Sequence, residues 1–311
     1  MEFDAQVIAA YGRHLRLRDA SGRVLQGRPF GRKLQVVCGD QVRCTADATH
    51  DEIHVNEILP RRSLLARSTL RGDAEPVVAN LSLLVTVIAP LPRPDPFIID
   101  RYLCAASSAG LRALVVLNKV ELDITDELAD ELAAMLKSFE AAGYPVLRCS
   151  AETGSNLEAL AAELQEATSV FVGQSGVGKS SLITRLVPAS AISTGDLDRD
   201  AEGRHTTTSS ALYDLPGGGA VIDSPGVRDF APSIGSLEPR SLGFPEVDRL
   251  APGCRFIDCL HLQEPGCAVR TAAESNAMDA RRYESYRRLR RLHNDLKAAQ
   301  GPGKRRGQDR A

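Results

Sequence analysis

Gly173-Gln174-Ser175-Gly176-Val177-Gly178-Lys179-Ser180 has the GxxxxGK[ST] spacing of a loop that holds phosphates. Its glycines let backbone N–H groups curl around an anion. Lys179 is expected to reach the outer phosphates and Ser180 to ligate magnesium, with Ser181 completing the binding set. The apolar run Val170–Val172 precedes the loop and a helical stretch, Lys179–Val187, follows it. This strand-loop-helix setting aims a helix N-terminus at the anion and argues against a fortuitous glycine turn.

Three further segments gain meaning beside that loop. Asp223-Ser-Pro-Gly226 follows the strand-like Ala220–Ile222, so Asp223 suits a second magnesium-holding position. Gly226 has no Cβ, and its N–H can approach a γ-phosphate closely. Thr206-Thr207-Thr208 lies between the two motifs, after Gly203-Arg204-His205. A threonine there, Thr207 in our assignment, can bind magnesium when the γ-phosphate is present and release it afterwards. Alone, such a run reads as a strand or polar loop.

Asn118-Lys119-Val120-Glu121 closes the apolar run Ala113–Leu117. A carboxylate at the fourth position accepts from the ring N–H and exocyclic amine of guanine, a donor pair that adenine lacks. Guanine preference is therefore expected, with Glu121 one methylene longer than the Asp of most GTPases. Ser150-Ala151, after the run Val146–Cys149, resembles the remaining base-contacting loop. The base-reading segments precede the phosphate loop, the reverse of the ordinary order, so the nucleotide fold reads as circularly permuted. Motifs at strand ends of a parallel sheet still converge on one crevice.

Cys254-x₄-Cys259-x-His261-x₅-Cys267 offers three thiolates and an imidazole, a closed tetrahedral zinc set that would be structural. Reactive thiols or small buried residues are the competing reading. Cys38, Cys44, Cys104 and Cys149 are scattered and read as packing residues.

The elements that must carry these groups fall into three stretches. Residues 1–72 read as short strands (Gln6–Ala10, His14–Arg18, Arg23–Gln26, Leu34–Val37, Gln41–Thr45, Glu52–Ile58) separated by turns, which suggests an all-β barrel that binds nucleic acid or serves as a packing module. Residues 73–243 alternate strands and helices: Leu81–Ile88, helix Phe97–Ala109, Ala113–Leu117, helix Leu122–Ala142, Val146–Cys149, then a capping box at Ser155–Glu158. That alternation predicts an α/β domain around a parallel sheet. Residues 244–311 hold the Cys/His cluster, an Arg/Tyr-rich helical stretch and a Gly/Pro/Lys tail.

Charge is uneven along the chain. The net charge of −2 over 311 residues divides into +4 for residues 1–72, +8 for residues 281–311 and −14 between them. Basic ends suggest phosphate backbones as partners, with a solvated helix face as the alternative for the C-terminal end. The longest apolar stretch, Leu83–Leu91, is too short to span a bilayer. Seven cysteines without a secretory signal suggest reduced thiols and a cytoplasmic protein.

Taken together, the barrel, Asn-Lys-x-Glu, Ser-Ala, GxSGVGKSS, Arg-His-Thr-Thr-Thr, Asp-Ser-Pro-Gly and the Cys/His spacing resemble the ribosome small-subunit-dependent GTPase A family (RsgA, also called YjeQ). The resemblance covers nearly the whole chain. It implies an OB barrel, a permuted P-loop GTPase domain and a zinc-bearing helical domain in a monomer. It further implies late maturation of the small ribosomal subunit through its rRNA, with GTP hydrolysis to GDP stimulated by that subunit. Two positions depart from the family pattern: Glu121 replaces Asp, and Asn80-Leu81-Ser82 replaces Asn-Val-Asp. Val227 stands where many GTPases carry a water-orienting Gln, and His205 is the candidate replacement, supported by the family's Arg-His-Thr motif. The rival readings are an RNA-binding scaffold with negligible turnover and an ATP-dependent P-loop enzyme.

Overall fold

The computed structural model describes residues 2–31, 34–47, 52–68, 74–188, 210–224 and 232–299. Strands β1 (Glu2–Tyr11), β2 (His14–Asp19), β3 (Val24–Pro29), β4 (Gln41–Asp47) and β5 (Glu52–Ile58) run in the order β1-β2-β3-β5-β4, and β4 returns to β1. Closure leaves the barrel without an open edge. Alternate residues point inward, and Val7, Leu15, Leu17, Val42, Cys44 and Val55 fill the interior.

The expected strand at Leu34–Val37 does not form. A buried carboxylate takes the place of a ladder partner: Asp40 accepts from Val37 N at 2.9 Å and from Arg61 Nε at 2.7 Å. A hairpin that the sequence did not suggest follows the barrel. Its strands β6 (Leu64–Ser68) and β7 (Ala74–Ala79) straddle the boundary expected between residues 72 and 73.

The next elements are β8 (Leu83–Ile88), α1 (Pro96–Ser108), β9 (Arg112–Leu117), α2 (Asp126–Ala142), β10 (Val146–Arg148), α3 (Leu157–Leu164), β11 (Thr168–Val172), α4 (Lys179–Leu186), β12 (Ser210–Asp214) and β13 (Ala220–Asp223). They build a sheet ordered β10-β9-β8-β11-β13-β12, parallel except for β12. All six residues of β8 are buried, as an apolar run in a parallel sheet requires. Helix α2 starts at Asp126 rather than Leu122, because Thr125 caps it by accepting from Leu128 N. The capping box at Ser155 is not used. Ser155 gives its carbonyl to Ser150 N at 3.0 Å, and Asn156, at φ 56°, precedes α3 without a side-chain cap.

Strand β12 also pairs with β1, so barrel and α/β sheet form one eleven-stranded sheet. The C-terminal part carries α5 (Pro245–Leu250), the Cys/His loop, α6 (Ala268–Glu274) and α7 (Ala280–Ala299). Phe244, Val247, Tyr286 and Leu289 share one apolar core with Tyr102 and Cys104 of α1.

Part of the basic C-terminal stretch is engaged inside the protein, on α7. Arg282 is fully buried, donating to Asp100 Oδ1 at 2.6 Å and to both oxygens of Glu246 at 2.6 and 2.9 Å. Burial works against its charge, but the two carboxylates more than offset this and raise its pKa. Arg290 is 2% exposed and donates to Tyr286 and to the carbonyls of Pro239 and Arg240. Arg281 reaches Asp100 and Ser138, each at 2.8 Å. These three arginines fasten α7 to the rest of the chain. Cys38, Cys44, Cys104 and Cys149 are all buried, as expected of packing residues.

Candidate nucleotide site and metal cluster

The loops at the carboxyl ends of β9, β10 and β11, and the last residue of β13, gather the separated motifs at one sheet edge. Gly173 follows β11 at φ 141°, and a methyl group there would collide with the carbonyl oxygen of Val87 on β8. Gly178, at φ 93°, is the N-cap of α4, and a methyl there would strike the Asn118 amide. These two approaches require glycine. Helix α4 has no side-chain cap. Its first-turn N–H groups, including those of Ser180 and Ser181, suit an anion. Lys179 is 7% exposed, and its ammonium donates to the carbonyls of Gly173 and Gln174, both at 2.7 Å.

Asn118 joins two loops that are far apart in sequence. Its Nδ2 donates to Val177 O at 2.9 Å, and its Oδ1 accepts from Ala151 N at 3.0 Å. The side chain is 1% exposed, so both bonds are formed away from water. Lys119, at φ 62°, donates through Nζ to Gly176 O at 2.6 Å. Val120 N meets Cys149 O at 3.3 Å, and buried Ser150 accepts from Thr153 N at 2.9 Å. Glu121 is exposed. Burial, with the Glu121 charge adding to it, pushes the Cys149 thiol up to about 11.

Asp223 ends β13 opposite Ala211 of β12. The adjacent Ser224, 2% exposed, accepts from Ser210 Oγ at 2.7 Å. His205, Thr206, Thr207, Thr208, Gly226 and Val227 lie outside the described residues. Gln174, expected as part of the phosphate loop, has a contact that the loop pattern does not suggest: its Oε1 accepts from Asp95 N at 3.4 Å and ties the glycine loop to the cap of α1. The Asp95-Pro96 pair, a readable helix start, was the available signal.

In the C-terminal part, Cys254, Cys259, His261 and Cys267 place one ligand atom each within 4.8 Å of one another. Cys254 Sγ and Cys267 Sγ lie 4.0 Å apart, and His261 Nδ1 is 3.4 and 3.5 Å from them. A disulfide needs about 2.05 Å. A tetrahedral zinc with bonds of about 2.3 and 2.0 Å would set these edges near 3.8 and 3.5 Å. The set therefore fits a four-coordinate metal ion. Burial pushes Cys259 up to about 12 and also raises Cys267, so both thiols hold their protons until a bound cation displaces them. Burial, together with Arg290, lowers His261 and favours the neutral imidazole that a metal needs. Cys267 also caps α6, its Sγ accepting from Arg270 N at 3.4 Å. Tyr283 and Tyr286 of α7 donate to the carbonyls of His261 and Leu260 at 2.9 and 3.0 Å, which holds the loop in place.

Residues 58–232 match the family model described as RsgA GTPase. A protein of Ectopseudomonas mendocina (strain ymp) named small ribosomal subunit biogenesis GTPase RsgA is 43% identical over 289 residues, covering 91% of this chain and 83% of that protein. The same name is carried by a Chromohalobacter salexigens protein, 47% identical over 233 residues, with 74% and 67% covered. Among solved structures, YjeQ from Thermotoga maritima superposes with a TM-score of 0.74 at 27% identity, covering 94% of this chain and 99% of that one. YloQ, described as a circularly permuted GTPase, gives 0.71 at 25% identity, with 95% and 96% covered.

Proposed function

The chain belongs to the RsgA GTPase family, and on that premise we propose that it acts on the small ribosomal subunit late in its maturation, hydrolysing GTP to GDP and phosphate when the subunit engages it. The observation that carries the reading is the Asn118 amide, which bonds the phosphate loop at Val177 and the base loop at Ala151 together. A nucleotide bound across that joint would have its phosphates at Gly173–Ser181 and its base at Asn118–Glu121 and Ser150–Ala151.

Hydrolysis is attack of water on the γ-phosphate, a reaction governed by positioning and charge stabilisation. Lys179 would turn its ammonium to the outer phosphates, and Gly226 would offer a backbone N–H. Ser180, Asp223 and Thr207 would hold a magnesium ion, which neutralises phosphate charge when bound. His205 would orient the water, since Val227 cannot hydrogen-bond to it. Cys254, Cys259, His261 and Cys267 would hold one structural zinc. The division of labour is an RNA-binding barrel at 1–72, a GTPase domain at 73–243 and a zinc-bearing helical domain at 244–311, working as a monomer. Arg287 and Arg288, paired at the surface with Glu284 at 3.0 and 3.3 Å, and Arg291 would meet rRNA from α7.

The test is GTP turnover at fixed enzyme against increasing small subunit, at two salt concentrations, for wild type and His205→Ala. Stimulation of about 10³–10⁵-fold is the range by which partners complete GTPase sites. It should weaken as salt rises. A wild-type rate indifferent to the subunit defeats the ribosomal reading and favours the scaffold. A His205→Ala rate stimulated as fully as wild type defeats only the role given to His205.

A further inference from the structure

Strand β12 has neighbours belonging to two different units. On one side Ala211 stands opposite Asp223 of β13; on the other, Ala211 stands opposite Ala9 of the barrel strand β1, and Ser210 opposite Ala10. One residue therefore separates the barrel backbone from the backbone of Asp223.

Two side-chain contacts brace the same crossing. Ser210 Oγ donates to the buried Ser224 Oγ at 2.7 Å, and Ser224 is covalently next to Asp223. At the far end of β12, Asp214 is ion-paired with Arg18 of β2, and Arg18 also donates to Gln6 of β1 at 2.8 Å. The Ser210 hydroxyl bonds Ser224, the residue that directly follows Asp223 in the chain.

We propose that Ser210 and the Arg18–Asp214 pair are positioning residues through which the barrel sets the place of Asp223. Occupation of the barrel by RNA and binding of GTP with magnesium then influence each other. The inference rests on reading Asp223 as a magnesium ligand and the barrel as the RNA-binding unit. Linkage makes the effect reciprocal: if the subunit favours one nucleotide state, that state favours the subunit by the same factor.

The experiment uses the full chain as wild type, Ser210→Ala, Ser210→Thr, Arg18→Glu, Asp214→Arg and the Arg18→Glu/Asp214→Arg double variant. Two quantities are read. One is the ratio of small-subunit affinities with a non-hydrolysable GTP analogue and with GDP, both with magnesium. The other is the magnesium concentration giving half-maximal GTP turnover. Ser210→Ala should collapse the ratio toward one and raise the magnesium requirement about 2- to 10-fold, the factor that one net hydrogen bond carries. Ser210→Thr, which keeps the hydroxyl, should restore both. Each single charge reversal should lower the ratio about 2- to 5-fold, as an exposed pair allows, and the double variant should recover it.

Wild-type values in Ser210→Ala, equal losses in Ser210→Ala and Ser210→Thr, or a double variant no better than its parents would overturn the proposal. A wild type that binds subunits equally with either nucleotide also overturns it. Subunit-stimulated turnover in the same samples reports separately on the GTPase reading.

Discussion

Replacing Arg282 by methionine keeps most of the side-chain volume and removes one buried charge. Three charge-assisted hydrogen bonds disappear, one to Asp100 and two to Glu246. Asp100 retains Arg281 at 2.8 Å, but Glu246, 6% exposed, loses both of its bonds to Arg282. The rings of Phe244 and Tyr144, 4.6 and 5.5 Å from the guanidinium carbon, remain to pack the new thioether. The expected loss is then that of breaking a buried ion pair and stranding one partner, about 3–5 kcal/mol. Packing of the methionine and the surviving Arg281 bond place it at the lower end, about 3 kcal/mol. Urea unfolding followed by far-ultraviolet circular dichroism should show a lower midpoint at unchanged slope. Adding Glu246→Gln removes the stranded charge and should recover more than half of the loss. A loss below about 1 kcal/mol, or a double variant as weak as the single one, would refute the view that this cluster fastens α7 to α1 and α5.

Lys179→Ala and Ser180→Ala should abolish GTP turnover while leaving the circular dichroism spectrum unchanged; normal turnover in either removes the phosphate-loop assignment. Gly173→Ala should abolish binding of a fluorescent GDP analogue, because its methyl collides with the Val87 carbonyl. One zinc per chain should be found by elemental analysis of natively purified protein, and a chelator should lower the melting temperature of the C-terminal part. The Cys149 thiol, raised from 9.0 to about 11, contributes stability that is complete below pH 9 and is lost as pH rises through 11. The thermal midpoint of wild type should therefore fall more steeply between pH 9 and 11 than that of Cys149→Ala.

Wherever the chemistry needed neighbours in sequence, the sequence already contained it. The glycine loop, the Asn118–Glu121 segment and the Cys/His spacing are short runs whose geometry follows from backbone reach, and the structure gathers the first two at one edge and closes the third. The strand-helix alternation from β8 to β11 was legible for the same reason, since burial on both faces writes itself as a continuous apolar run. The displaced start of α2 and the unused box at Ser155 show where two local signals competed and a short-range hydrogen bond chose between them.

What stayed hidden has partners far along the chain. Arg282 reads as one more cation in a basic stretch, yet its partners Asp100 and Glu246 lie 182 and 36 positions away. Ser210 is an ordinary strand-end serine until β12 is laid between β13 and the barrel. The identity of a side chain states which bonds it can make. Whether an arginine meets water, a phosphate or a buried carboxylate is decided only when the fold brings distant segments together and removes the water between them.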